Sequence, residues 1–400
     1  MDKKRLIEKT NKYIFTSYKR SPVVIAEGKG CTVWDVNGKE YLDFLSGIAV
    51  NNLGHRHPAV LKAIREQTQK LLHCSNYYYS LPQIELAELL IKNSFASRVF
   101  FCNSGAEANE AAIKIARKYA KDQGKPDKFK IITMINSFHG RTLATITATG
   151  QKIFQKGFEP LPRGFCYVPF NNLPAVEAAI NDHTVAVMVE PIQGEGGVNC
   201  PSDTYLKGLR KICDRHDLLL IFDEVQVGMG RTGRLFCYQH YQVEPDIMTL
   251  AKALGGGMPI GAMLANERLK DTLSPGSHAT TFGGNPLATA AGKAVVNTLL
   301  HDGVLQHCRK MGEYFKGRLT ELKEQYSFIK EVRGKGLILG MELSMNGTEI
   351  VNQCLERGFL INCTMDRILR FMPPLIITKK EVDSLVNALN IIFMTAEKKK

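Results

Sequence analysis

Three short stretches carry residue types that could do chemistry. In "TLAKALGGGMP" (249–259), Lys252 follows an apolar run and precedes three glycines. A lysine desolvated in such a place has its pKa lowered, and its neutral amine can condense with an aldehyde. In "LLLIFDEVQVGMGRTG" (218–233), Asp223 and Glu224 directly follow five apolar residues. A carboxylate at a buried strand end needs a partner, so Asp223 could hold a metal, orient a histidine or pair with a protonated ring nitrogen; a capping or solvated acid pair fits equally. No histidine or third acid stands nearby in sequence to complete a metal set. In "NSGAEANEAAIKIARKYA" (103–120), Ser104 can cap a helix, Glu107 three residues later completes a capping box, and Gly105 lets a ligand approach the backbone. Unpaired N–H groups and the helix dipole favour phosphate there, while Lys114, Arg117, Lys118 and Lys121 sit toward the far end. Taken singly, these stretches also fit a snorkelling lysine, a capping acid and an ordinary capped helix.

The elements around them decide between these readings. Short apolar runs at 98 ("RVFFC"), 130 ("KIITMI"), 185 ("VAVMVE"), 218 ("LLLIFDE") and 246 ("DIMTLA") alternate with helical segments, which predicts a buried, mostly parallel sheet flanked by helices. Ligands of such sheets gather at the carboxyl ends of strands, where all three stretches fall. On one sheet, a phosphate cradle, a strand-end aspartate and a strand-end lysine are the anchors that pyridoxal phosphate requires for its phosphate, ring nitrogen and aldehyde. Ahead of the sheet, "VVIAEGKGCTVWDVNGKEYLDF" alternates about Asn37-Gly38, a dipeptide suited to a type I′ hairpin. After Pro286, a helix leads into a smaller α+β part with "KGLILGMEL", "GFLINC" and "RILRFMPP". The expected division is an N-terminal segment (1–55) packing with the small domain, a large cofactor-binding domain (56–290) and a small C-terminal domain (291–400).

Composition narrows the function classes. The 52 basic and 39 acidic residues leave a net charge of +13, of which Lys3, Lys4, Arg5, Lys398, Lys399 and Lys400 supply six charges from the ends. No arginine-rich tract, zinc-finger spacing or basic amphipathic helix accompanies the charge, so neither a nucleic-acid nor a membrane partner is expected. The ten cysteines show no Cys-x-x-Cys pair and are read as free, mostly buried thiols. "MDKKRLIEKTNKYIF" lacks the apolar stretch of a secretory signal, and the expected location is the cytoplasm.

The order of "GKEYLDFLSGIAVNNLGHRHP", "FFCNSGAEANEAAIKIARKYA", "SFHGRT", "VEPIQGEGGV", "IFDEVQVGMGRTG", "AKALGGGMPIGAM", "HATTFGGNPLA" and "LRFMPPL" resembles the class III pyridoxal-phosphate aminotransferases of fold type I over nearly the whole chain. The resemblance implies an α/β large domain with a mostly parallel, seven-stranded type of sheet, in which Lys252 holds the cofactor's aldehyde, Asp223 pairs with its ring nitrogen and Gln226 bonds its ring hydroxyl. Ser104, Gly105 and Ala106 match the phosphate loop, Phe138 and Val225 the two ring faces, and Glu224 is counted with the cofactor contacts. Thr281 resembles a residue that reaches the phosphate of a neighbouring subunit, which implies a homodimer.

For substrates, the resemblance implies that Arg141 reads the donor's carboxylate and that Arg370 clamps the α-carboxylate of glutamate or 2-oxoglutarate. Glu195 covers Arg370 when the donor reacts at a terminal amine, and Thr280 touches the acyl group. No metal is implied. The motif wording is nearest to the group that moves the terminal amine of N2-acetylornithine to 2-oxoglutarate by a ping-pong route. Thr32 and Ile48 align with tyrosines that hold free ornithine in related enzymes, and their identity here favours an acylated substrate. Succinyl-diaminopimelate, ornithine and 4-aminobutyrate are the alternatives; a non-catalytic cofactor binder or a nucleic-acid binder would be of another class.

Overall fold

The computed structural model describes residues 2–397, so Lys398, Lys399 and Lys400 of the basic end lie outside the described residues. After helix Lys3–Tyr13, the chain forms β1 (Ile25–Lys29), β2 (Thr32–Asp35) and β3 (Glu40–Asp43), an antiparallel sheet. The hairpin joining β2 and β3 forms, but its turn is not type I′. Gly38 alone of Asn37-Gly38 has positive φ (81°), and Asp35 Oδ1 accepts the N–H groups of Asn37 and Lys39. The aspartate side chain thus closes a wider turn with a single left-handed glycine.

The central sheet uses β4 (Arg98–Cys102), β5 (Lys130–Met134), β6 (Phe165–Val168), β7 (Thr184–Val189), β8 (Leu219–Asp223), β9 (Ile247–Leu250) and β10 (Gly261–Ala265). Their order is β4-β10-β9-β8-β7-β5-β6, with β10 antiparallel to both neighbours and the run from β9 to β6 parallel. The five expected strands are present. β6 and β10 were not foreseen: β10 reads "GAMLA", poor in β-branched residues, and it is a strand because it is buried on both faces between β4 and β9. Helix Gly105–Asp122 lays Ala112, Ile115 and Ala116 against Ile131, Ala186 and Ile221 on one face.

β11 (Ile329–Lys335), β12 (Ile338–Leu343), β14 (Asn362–Thr364) and β15 (Ile368–Phe371) form a third sheet, and β13 (Phe359–Leu360) joins the first by pairing in parallel with β3. No helix among the described residues is long and apolar enough to cross a membrane. All ten cysteines are free, six of them buried.

Candidate active site

Past the carboxyl ends of β4, β5, β7, β8 and β9 lies a cavity of about 410 Å³. Its cradle is the start of helix Gly105–Asp122. Ser104 Oγ accepts the Glu107 N–H, which leaves the first-turn donors of Gly105 and Ala106 without an intrahelical acceptor. The expected capping box is shifted by one residue: the Glu107 carboxylate accepts from Asn103, through N–H (2.6 Å) and Nδ2 (2.9 Å), and not from the Ser104 backbone.

Asp223, 4 % exposed, ends β8 on the cavity floor. Its Oδ2 accepts from Asn109 Nδ2 (2.7 Å) and pairs with His139 Nδ1 (2.8 Å), and its Oδ1 accepts the Val225 N–H (3.0 Å). A histidine is therefore beside Asp223 after all; it is 84 residues away in sequence and adjacent only in space. Phe138 and Val225 also line the cavity. Gly105 serves this packing, because a Cβ there would come within 2.7 Å of Val225 Cγ1.

Lys252 follows β9 with φ 45° and lines the same cavity. Burial pushes its pKa below the ordinary lysine range; the Arg370 charge acts in the same direction, and Glu195, Asp223 and Glu190 oppose it. Of the three glycines that follow, Gly255 and Gly256 are packed against Ile260 and Val295, and only Gly257, at φ 111°, lines the cavity.

The far wall is an ion pair. Arg370 Nη1 donates to Glu195 Oε1 at 2.8 Å and to Gln226 Oε1 at 3.4 Å. Arg370 is 1 % exposed, and Glu195 stands between it and the cavity. Burial raises the Glu195 carboxyl, but Arg370, followed by Lys252 and Gln226, outweighs burial and holds it below the usual carboxylate range. At the mouth, exposed Arg141 stacks its guanidinium on Phe154 (3.9 Å) and near Phe138 (5.4 Å).

Three expected site residues are not brought to this cavity. Glu224 is buried elsewhere: its carboxylate accepts the N–H groups of Cys237 (2.6 Å) and Tyr238 (2.7 Å), capping the 3₁₀ turn Cys237–His240. Burial pushes its carboxyl up to about 8. Thr280 lies outside, its Oγ1 accepting from Asn103 Nδ2 at 3.1 Å, and Thr281 is exposed beside it in a surface groove. Thr32 and Ile48 do not line the cavity either; Val50 is the residue of their segment that does.

Sequence reasoning missed Asn109, His139 and Glu190. Glu190, raised to about 7 by burial, directly follows an apolar strand as Asp223 does, so the same signal marked it. Asn109 and His139 carried no comparable mark. Among the described residues, no group of three or more His, Cys, Asp or Glu could hold a metal.

The donor set fits pyridoxal phosphate: first-turn N–H groups for a phosphate, a buried carboxylate for a ring N–H, an aromatic and a branched side chain for two ring faces, and a desolvated amine for an aldehyde. Comparison with known proteins agrees. The model of the family described as aminotransferase class-III matches residues 13–393. An acetylornithine aminotransferase of Methanocaldococcus jannaschii is 54% identical over 100% of both chains. An ornithine aminotransferase of Toxoplasma gondii superposes with a TM-score of 0.96 at 35% identity, covering 100% of this chain and 97% of that one, and a second structure of it records the cofactor at its active site. The acetylornithine aminotransferase of Elizabethkingia anophelis gives a TM-score of 0.88 at 34% identity over 99% of this chain and 100% of that one. With a family match over almost its entire length and a cavity chemically suited to the cofactor, the chain belongs to the class-III aminotransferases, enzymes that depend on pyridoxal phosphate.

Proposed function

We propose that the enzyme moves the terminal amino group of N2-acetylornithine to 2-oxoglutarate, giving N-acetylglutamate 5-semialdehyde and glutamate in two half-reactions that share one cavity. Pyridoxal phosphate, when bound, supplies the aldehyde that exchanges amino groups and a ring that accepts electrons from the substrate carbon. Lys252 holds that aldehyde and, once displaced, its amine takes a proton from the substrate carbon and returns it to the cofactor. Asp223 keeps the ring nitrogen protonated, and its three existing bonds fix its orientation for that task. Gln226 bonds the ring hydroxyl, Phe138 and Val225 hold the faces, and Ser104 with the N–H groups of Gly105 and Ala106 holds the phosphate.

One observation carries the substrate reading: the Glu195–Arg370 pair beside Lys252. A terminal-amine donor has no carboxylate next to its reacting carbon, so Glu195 neutralises Arg370 in that half-reaction. Glutamate and 2-oxoglutarate do have one, and they displace Glu195 to reach the planar fork of Arg370. Arg141, exposed where it lines the cavity, takes the carboxylate of the acylated donor.

Thr280 and Thr281 serve the cavity of a second copy in a cytoplasmic homodimer, a reading supported by the exposure of Thr281, by their place in a surface groove outside this cavity and by the exposed Tyr77, Tyr79 and Phe282 near them. The deciding experiment mixes cofactor-loaded protein with acetylornithine, succinyl-diaminopimelate, ornithine or 4-aminobutyrate and follows loss of the visible cofactor band. Acetylornithine should react fastest; a preference for ornithine would overturn the substrate reading.

A further inference from the structure

Arg231 is fully buried, at 0 % exposure, and every one of its hydrogen-bond partners is a neutral oxygen. Nη1 donates to the carbonyls of Leu337 (2.8 Å) and Pro373 (2.5 Å), and Nη2 donates to Ser46 Oγ (3.1 Å) and to Asn52 Oδ1. Its Nε has no partner among the described residues. Burial pushes even this guanidinium down to about 10. A buried charge bonded only to neutral groups is costly, and such groups earn their place by fixing one geometry.

The four oxygens come from three segments far apart in sequence, around Ser46–Asn52, Leu337 and Pro373, and further bonds tie the first and last of these to one another. Ser46 Oγ donates to the Met372 carbonyl (2.7 Å), Asn52 Nδ2 to the Met229 carbonyl (2.7 Å), the Leu375 N–H to Asn52 O (2.6 Å) and the Met372 N–H to Phe44 O (2.7 Å). Two cavity elements hang from this hub. Arg370 is three residues before Pro373, and Val50 is two residues before Asn52. Arg231 itself is on the loop that leaves β8 after Asp223 and Gln226, so it belongs to the part that carries the cofactor anchors.

We propose that Arg231 is a positioning residue for the carboxylate end of the cavity, fixing the strand end that carries Arg370 and the turn that carries Val50 against the sheet that carries Lys252 and Asp223. The inference rests on the reading of Arg370 as the dicarboxylate clamp. A lysine at position 231 can reach some of the four acceptors but cannot reproduce the planar fork, so the walls would shift while the cofactor anchors stay in place.

The test uses cofactor-loaded Arg231→Lys and the milder Ser46→Ala, with Leu319→Ala, a core truncation in helix Val304–Gln325, as a stability control. Binding of glutarate, an unreactive dicarboxylate, is measured by calorimetry, and single-turnover rates are measured with acetylornithine and with glutamate. In Arg231→Lys, glutarate binding and the apparent affinity for glutamate should weaken about tenfold, with the cofactor band and the maximal acetylornithine rate within twofold of wild type. Ser46→Ala should show the same split at a smaller size, and it carries the test if Arg231→Lys does not fold. Unchanged glutarate binding in a folded Arg231→Lys, or equal losses in both half-reactions that track melting temperature as in Leu319→Ala, overturns the inference. Failure of wild type to bind glutarate instead overturns the reading of Arg370, and this inference with it.

Discussion

Lys252 sits in the left-handed region, a conformation that costs a non-glycine residue on the order of 1–3 kcal/mol and persists where the surroundings impose it. Lys252→Ala should keep the far-UV circular dichroism of the fold, lose covalently held cofactor and lose turnover by roughly 10³-fold or more; near-normal activity would remove Lys252 from the chemistry. Arg370→Ala takes the partner from Glu195 and the fork from glutamate. The glutamate half-reaction should weaken by roughly 10²-fold, as expected for truncating one member of a buried charge pair, and the acetylornithine half-reaction should change much less. Equal losses in stopped-flow traces would count against the gate. Glu224 makes a contrasting case. Its folded-state pKa of about 8 lies above the unfolded value near 4.5, so its contribution to stability is full below that value and is lost as pH rises through about 8. Melting temperature should therefore fall between about pH 5.5 and 8.5 with a slope that Glu224→Gln makes shallower, while the cofactor band of that variant stays in place.

At the scale of elements, strand ends deliver the chemistry and glycines set its tolerances. Glu190 directly follows β7 as Asp223 ends β8, and Val189 and Phe222 are in register, so the two carboxyls stand side by side at one edge of the crevice. Gly194 leaves the space that Gln226 occupies, since a Cβ there would overlap Gln226 Oε1. Gly194→Ala should displace Gln226, shift the visible band and lower kcat with the fold retained; an unchanged spectrum and kcat would show that Gln226 does not act on the ring. Of the parallel strands, β5, β7, β8 and β9 were legible because they are short apolar runs buried on both faces, whereas the edge strand β6 is only partly buried. β10 was not, because glycine and alanine carry little strand preference of their own and the neighbouring strands impose the conformation. The Asn37-Gly38 turn differs for a related reason: the dipeptide permits a type I′ turn, but the Asp35 side chain accepts the N–H groups of Asn37 and Lys39 and so holds a competing geometry.

At the scale of the molecule, the exposed Tyr77, Tyr78 and Tyr79, 93 %, 72 % and 96 % accessible, adjoin the groove that holds Thr281. In the proposed homodimer these consecutive exposed rings lie at the interface between the two copies. Light scattering should give twice the chain mass. Thr281→Ala should lower cofactor affinity by about tenfold or more, the value of a hydrogen bond to a charged phosphate. If Thr281 acts across the interface, a mixed dimer of Thr281→Ala with Lys252→Ala contains one site with both native residues. Titration of that mixture should recover wild-type cofactor affinity in one of the two sites, and a uniformly weakened mixture would place Thr281 within its own subunit.

The sequence by itself determined the family and most strands of the central sheet, and it singled out Lys252 and Asp223 as candidate cofactor anchors, since a polar residue closing a doubly buried apolar strand is a local signal. Tertiary structure alone decided which neighbours those anchors have. Asn109 and His139 reach Asp223 from 114 and 84 residues away, Glu224 turns from the cavity to cap Cys237 and Tyr238, and Arg370 is covered by Glu195. Adjacent residues after a strand leave in different directions, and groups distant in sequence meet only once loops have closed around the sheet. A strand end can be read from a few residues of pattern; which side chain meets it depends on the whole path of the chain.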